Sequence, residues 1–147
     1  DNRIKKFTEY IDNWDDPNYA QVAVTHNNTP IALSPSTIAG GGITFAPFRY
    51  MQHEQMLELD VLGKFVGKQY LNNVESTAAR LPDYFVQDMN VSYTFHPKQW
   101  FETVRVNILM NNLFDKQYVS NGYMYDIYPY YYPQAGFNFL TGLTLTF

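Results

Sequence analysis

The final eleven residues of the chain constrain its fold most strongly, because their side chains alternate between apolar and polar. Apolar residues hold nearly every odd position, namely Phe137, Phe139, Leu143, Leu145 and Phe147. Residues two apart lie on the same side of a β-strand, so this segment predicts a strand with one apolar and one polar face. A soluble domain must bury such a face under a second layer, whereas a membrane β-barrel turns it towards lipid. We interpret the chain as part of a membrane β-barrel.

Five other segments have related patterns, of which Arg3–Ile11 is the weakest; the others are Ser36–Ala46, Met56–Leu71, Tyr84–Phe95 and Val104–Asp115. None of the chain shows convincing helical periodicity. The sequence therefore predicts an all-β, antiparallel, up-and-down transmembrane barrel segment of about six strands.

The connections between these strands alternate in length. Ala46–His53 and His96–Glu102 are short turns that begin near a proline, whereas Asp12–Pro35, Asn72–Asp83 and Gln117–Gly136 are long, polar and rich in aromatic residues. Outer-membrane barrels have short periplasmic turns and long extracellular loops. If the carboxy-terminus is periplasmic, we expect the three long connections to face outward.

The amino-acid composition narrows the classes of function that the chain can have. Thirteen of the 147 residues are Tyr and eleven are Phe, which suits interfacial girdles and recognition loops. The net charge of −4 gives no reason to expect nucleic acid, and the absence of Cys excludes thiolate metal sites. The first residues do not resemble a secretory signal, although an outer-membrane protein must be exported. We therefore expect the chain to be the C-terminal part of a larger polypeptide that supplies the remaining strands.

Several segments resemble TonB-dependent outer-membrane receptors. The most specific is Asn107–Tyr118, which contains Asn-Asn-Leu-Phe-Asp and continues through Val119–Tyr123, like the penultimate strand and loop of that family. The final loop and closing strand are matched by Tyr131–Gly136 and Phe139–Phe147. Upstream similarities lie in Ile31–Pro35, Phe65–Leu71 and Leu81–Val86.

The resemblance implies that residues 1–147 are the C-terminal portion of a plugged barrel of ~22 strands in the Gram-negative outer membrane. It implies a non-enzymatic receptor that imports a scarce small molecule, such as a ferric siderophore, haem or cobalamin, and is energised through the TonB system. Its expected partners are the lipid bilayer, the missing strands and plug, and the barrel-assembly machinery. That machinery would read an alternating signal that the family carries at its C-terminus, here Leu143, Leu145 and Phe147. No cofactor is expected.

Two alternatives remain open. A related branch of the family imports glycans, and a self-contained soluble β-domain could instead bind ligands through its tyrosine-rich loop. A barrel enzyme is disfavoured because no Ser of the chain lies in a nucleophile-elbow context.

The aromatic loop Tyr123–Pro133 holds the candidate ligand-binding residues. They are Tyr123, Tyr125, Asp126, Tyr128, Tyr130, Tyr131 and Tyr132. Tyrosine offers a large rigid surface with a hydrogen-bonding tip, which suits capture of a catecholate, a haem or a sugar. The alternative is that these rings form a membrane girdle or pack loop against loop.

The acidic residues and histidines are weaker indications of a functional site than the tyrosines of the aromatic loop. Glu58 and Asp60 share one face of a predicted strand but have no accompanying nucleophile, so we expect charges that face the barrel lumen. His26, His53 and His96 are scattered and lack metal-ligand spacing, with His26 the one candidate for a loop contact with haem or metal. The acidic group Asp12, Asp15 and Asp16 lacks the oxygen spacing and glycine of a calcium loop. No metal site is predicted.

Overall fold

The computed structural model describes residues 2–47, 55–97 and 100–147, and these ranges are all-β, with 64% of residues in strands and no helix. No helix in the described ranges is therefore long and apolar enough to cross a membrane. The strands are β1 (Arg3–Asp12), β2 (Gln21–Pro30), β3 (Ile38–Phe45), β4 (Gln55–Val66), β5 (Gln69–Tyr70), β6 (Arg80–Leu81), β7 (Tyr84–Phe95), β8 (Thr103–Asn111), β9 (Val119–Tyr125), β10 (Tyr128–Pro133) and β11 (Asn138–Thr146).

The chain divides into two compact units. One comprises Asp1–Thr37, Gly67–Asp83 and Val119–Tyr132, and the other Ile38–Val66, Tyr84–Tyr118 and Pro133–Phe147. The second unit is a single five-stranded antiparallel sheet in the order β3-β4-β7-β8-β11. Its long strands follow one another in the up-and-down order that the sequence predicts. The described sheets do not close into a barrel.

One face of this sheet is apolar across all five strands. The strand registers align Ile43, Val61, Met89, Met110 and Phe139 in one continuous row. Because each strand alternates with period two, the next row on the same face, which begins at Phe45, is also mainly Leu, Val, Ile and Phe, whereas the row on the other side consists of Gly41, Gly63 and Gln87. The predicted alternation is therefore confirmed, and it is in register between strands.

The opposite, polar face is joined by side-chain hydrogen bonds between neighbouring strands. Asp60 of β4 accepts from the Thr44 hydroxyl at 2.6 Å and from the Asn90 amide at 3.1 Å. Farther along, the Arg105 Nε donates to the Thr94 hydroxyl at 3.0 Å. These bonds run across the sheet, so polar groups on this face stabilise the pairing of strands.

The first unit consists of three hairpins, β1–β2, β5–β6 and β9–β10. Its small core contains Leu71, Ala79 and Leu81, against which Val119 and Met124 pack. Ala79 and Leu81 are completely buried. This core attaches one side of the β9–β10 hairpin to the β5–β6 hairpin.

The prediction of about six strands was wrong, because all three long connections interpreted as loops contain hairpin strands, including β6 within Asn72–Asp83. Strand β2 lies within Asp12–Pro35, and both β9 and β10 lie within Gln117–Gly136. These segments are rich in Val, Thr and Tyr, which favour strands, and polar residues on both faces hid their alternation. The β2 pairing extends over nearly the whole of β1.

Two predicted strands also end earlier than expected. Strand β4 ends at Val66, so Lys68 lies beyond it, and β8 ends at Asn111. Asn112 and Asp115 have positive φ angles of 50° and 51°, which no extended strand accommodates. Most of the predicted turn at Ala46–His53, including His53, lies outside the described residues, as does part of His96–Glu102.

Candidate ligand-binding surface

The β9–β10 hairpin positions most of the predicted ligand-binding residues. Tyr125 ends β9, Tyr128 begins β10, and Asp126 and Ile127 form the connection between them. Asp126 has a positive φ of 54°, which Asp tolerates in a tight turn. A two-residue connection of this kind holds the tyrosines of the two strands side by side.

Three of these tyrosines form an exposed aromatic surface, which we call the tyrosine face: Tyr123, Tyr130 and Tyr132. The Tyr123 ring stacks on Tyr130 with centroids 5.1 Å apart and planes only 10° apart, and it lies 6.0 Å from Tyr132. The three residues are 46–54% exposed. Stacked and half-exposed rings present a flat apolar surface with hydroxyl groups at its rim.

The other side of the hairpin is attached to the unit's core. Met124 packs against the cluster of Leu71, Ala79 and Leu81, and Gly122 is buried there. The Tyr131 hydroxyl donates a 3.3 Å hydrogen bond to the Ala78 carbonyl. Tyr131 therefore fixes the hairpin rather than joining the tyrosine face, from which the alternation of β10 separates it.

Tyr125 and Asp126 contribute to a second feature at the end of the hairpin. Together with Ile11, Asp12 and Trp14 they line a cleft of about 460 Å³, which we call the acidic–aromatic cleft. Trp14 is 78% exposed and Tyr125 is 71% exposed. Two large rings and two carboxylates thus share one open cavity.

The β1–β2 connection supplies half of this cleft and is held in place by local hydrogen bonds. The Asn13 amide N–H donates to the Ala20 carbonyl at 3.3 Å, and the Gln21 side chain donates to Asp12 Oδ1 at 2.8 Å. Trp14 makes an edge-on contact with Tyr19 at 6.4 Å. The sequence analysis missed Trp14 as a site residue, although a tryptophan in a polar, acidic turn was an available signal.

The remaining predicted residues lie apart from these surfaces. Tyr128 is 60% exposed at the start of β10. Leu143 and Leu145 lie on the apolar face of β11 and are 64% and 39% exposed, and the Phe147 ring packs edge-on against Phe101 at 5.0 Å. Leu143 and Leu145 of the predicted assembly signal are thus exposed on one face of β11, and Phe147 follows the end of that strand.

The Asn-Asn-Leu-Phe-Asp segment builds a loop clamp at one end of the five-stranded sheet. Asn112 is 5% exposed, and its amide donates to the carbonyls of Lys116 at 2.9 Å and Ala135 at 3.1 Å. Asp115 Oδ1 accepts from the Phe137 N–H at 2.8 Å. These bonds join the loop that follows β8 to the loop that precedes β11.

The histidines and carboxylates that the structure describes do not form a metal centre. His26 lies in β2 rather than in a loop, stacks on Phe7 at 4.9 Å, and places Nε2 2.8 Å from a Glu9 carboxylate oxygen. His96 Nδ1 lies 2.9 Å from the Glu102 carbonyl. Within the part of the chain that the structure describes, no three His, Asp or Glu side chains converge on a point that could hold a metal ion.

Neither protein-family models nor curated proteins match this sequence.

Proposed function

We propose that this chain forms part of the wall of an outer-membrane β-barrel and belongs to a TonB-dependent receptor. The receptor would import a scarce small molecule, such as a ferric siderophore, haem or cobalamin, without chemical change. Its barrel would contain ~22 strands around a plug, and the residues of this chain would form its C-terminal portion. The tyrosine face would contact the ligand before uptake.

The apolar face of the five-stranded sheet carries this proposal. Its outer strands are exposed over most of their length, with Ile43 at 76%, Phe139 at 62% and Leu143 at 64% exposure. A water-soluble protein rarely exposes a contiguous apolar surface larger than a few hundred Å². In a bilayer the same side chains meet hydrocarbon, so their exposure is favourable.

The polar face and the edges of the five-stranded sheet also support the proposal that the sheet is part of a barrel wall. Asp60, Asn90 and Arg105 bond across strands on the side that would face the barrel lumen. Among the described residues, β3 and β11 each pair with one neighbour only, so each has an edge that needs a partner strand. Lipid cannot satisfy unpaired backbone groups, and a closed barrel can.

A self-contained soluble β-domain fits these observations less well. Such a domain would need a second layer over Leu143 and Leu145, yet both side chains are exposed. A glycan-importing receptor of the same architecture agrees equally with the apolar face. The stacked rings of Tyr123 and Tyr130 would suit a sugar ring as well as a planar aromatic ligand.

Cell fractionation combined with uptake tests the receptor proposal. In cells that make this protein, we expect the chain in the outer-membrane fraction. Disrupting its gene should lower uptake of at least one labelled ligand among ferric siderophores, haem, cobalamin and oligosaccharides. Disrupting TonB should lower uptake of the same ligand. Recovery of the protein in a detergent-free soluble fraction, or uptake that does not depend on TonB, would contradict the proposal.

A further inference from the structure

We propose that the acidic–aromatic cleft binds an organic cation, namely an alkylammonium group or a ligand that carries one. The cleft is lined by Trp14, Tyr125, Asp12, Asp126 and Ile11. As the ligand class of the proposed receptor, this inference rests on the proposed function, but its test measures binding separately from membrane insertion and uptake.

The aromatic residues of the cleft favour a cation with diffuse charge. The face of an indole or phenol ring attracts ammonium groups within about 6 Å of its centre, and tryptophan attracts them most strongly. Trp14 and Tyr125 leave more than two-thirds of their surface open to a ligand. Aromatic rings also accept methyl groups, so a methylated ammonium gains both an electrostatic and an apolar contact.

The carboxylates of the cleft add negative charge that complements an organic cation. Asp12 and Asp126 both line the cleft, and among the described residues no basic side chain does. The segments 7–48 and 117–147, which supply every residue of the cleft, contain no Lys or Arg at all. The negative charge of the cleft is therefore not neutralised from within its own segments, and a bound cation would neutralise it.

The same geometry disfavours a metal ion as the ligand. Calcium binds six to eight oxygen atoms at 2.3–2.6 Å, and magnesium requires near-octahedral oxygen ligands. One carboxylate of the cleft, Asp12, is already bonded to the Gln21 amide, and within residues 2–47, 55–97 and 100–147 no third acidic side chain joins the two. Two carboxylates between two exposed rings suit an ammonium group better than a bare divalent ion.

Choline and its neutral analogue 3,3-dimethylbutan-1-ol form a matched pair of probes. They share nearly the same shape and differ in the positive charge. We would titrate each into the full chain in detergent micelles and measure binding from the NMR signals of the probe's methyl groups. We expect choline to bind with a dissociation constant of about millimolar, the neutral analogue at least roughly fivefold more weakly, and choline affinity to fall as salt rises.

Single substitutions locate the site. Asp126→Asn should weaken choline binding about threefold or more, and Trp14→Ala about tenfold. Asp15→Asn is the control, because it removes the same charge from the loop that carries Trp14, at a residue that does not line the cleft. It should change affinity less than about twofold. Circular dichroism of each variant would verify that the strands remain folded.

Three results would overturn the inference: equal affinity for the charged and neutral probes, equal weakening by Asp126→Asn and Asp15→Asn, or no choline binding by the folded chain below about 100 mM. A folded chain that binds choline but stays monomeric without detergent would support the cleft and contradict the receptor proposal. A chain that inserts into the membrane but does not bind choline would support the receptor proposal and contradict the cleft inference.

Discussion

At the scale of single residues, the Asn-Asn-Leu-Phe-Asp segment has a structural role that its sequence does not reveal. Asn112 is buried with a positive φ of 50°, a region that asparagine enters more easily than most residues. Its side chain accepts from the Lys116 N–H at 2.9 Å and donates to two backbone carbonyls. The residue therefore connects two loops that would otherwise carry buried, unpaired backbone groups.

Replacing Asn112 should destabilise the fold strongly. Asn112→Ala removes three hydrogen bonds and places alanine at a positive φ, so we expect a loss of about 2–4 kcal/mol in the free energy of unfolding. Asn111→Ala removes a single exposed bond to Asn138, for which we expect about 0.5–1 kcal/mol. Urea unfolding of each variant in detergent or lipid vesicles measures both values. Equal losses in the free energy of unfolding for the two variants would contradict the role of Asn112 in joining the two loops.

Alternation alone predicted which side chains share a face of the sheet, because the side-chain period of a strand is fixed at two. Leu57, Leu59 and Val61 lie together on the apolar face, and Asp60 lies on the polar face, as the sequence indicates. The acidic–aromatic cleft was not predicted. Its residues come from segments more than one hundred positions apart, and no local pattern joins Trp14 to Tyr125.

At the scale of elements, the β9–β10 hairpin depends on one glycine. A side chain at Gly122 would collide with the Tyr130 carbonyl oxygen and would lie 3.3 Å from the Leu71 methyl groups. Gly122 therefore permits the hairpin to approach the core of its unit closely. The sequence did not predict this hairpin, because its consecutive tyrosines and prolines resemble a loop rather than an alternating strand.

Gly122→Ala should therefore loosen the hairpin. The added methyl group has no room, so we expect opening of the β9–β10 hairpin to become easier by about 2 kcal/mol. Gly41→Ala in β3 is the control, because nothing lies within 4 Å of the added carbon there. Hydrogen exchange of the hairpin amides reports the difference. Unchanged protection in the Gly122 variant would show that the close approach is unimportant.

Val61 and Leu62 are neighbours in strand β4, and substitutions at the two positions can show whether the apolar face of the sheet contacts lipid or water. Val61 on the apolar face is 40% exposed and Leu62 on the polar face is 49% exposed. In water, arginine at either position should cost little. In a bilayer, Val61→Arg should cost about 2–4 kcal/mol, because charge at the lipid face near the midplane is unfavourable, whereas Leu62→Arg should cost less than about 1 kcal/mol.

Unfolding of the two arginine variants in phospholipid vesicles measures this difference. Similar costs for Val61→Arg and Leu62→Arg would mean that neither face of β4 meets hydrocarbon. The proposed membrane wall would then fail at β4, the strand next to the β3 edge of the sheet.

At the scale of the whole molecule, the five-stranded sheet is a single layer. One apolar row runs from Ile43 of β3 to Phe139 of β11 without interruption, and the two outer strands each pair on one side within the described residues. In the proposed barrel wall, lipid and neighbouring strands would satisfy both properties.

The sequence predicted the strand order and the apolar face of this sheet but not the hairpins of the other unit. Order followed from the regular succession of alternating segments, since consecutive antiparallel strands usually pair. The additional strands depend on pairing rather than on their own pattern, as in β2, where β1 supplies the partner for segment 21–30. Such pairing is a tertiary property, which single-strand periodicity does not contain.

Because the chain contains no cysteine, a single introduced cysteine gives an unambiguous label on either face of β11. Leu143→Cys and Thr144→Cys place the same fluorophore on opposite faces of β11, at adjacent residues that are both exposed. The protein would be reconstituted into vesicles containing a spin-labelled lipid that quenches fluorescence within the hydrocarbon. We predict strong quenching of the label at 143 and little at 144. Equal quenching at the two positions would contradict the claim that the apolar face of this sheet meets lipid.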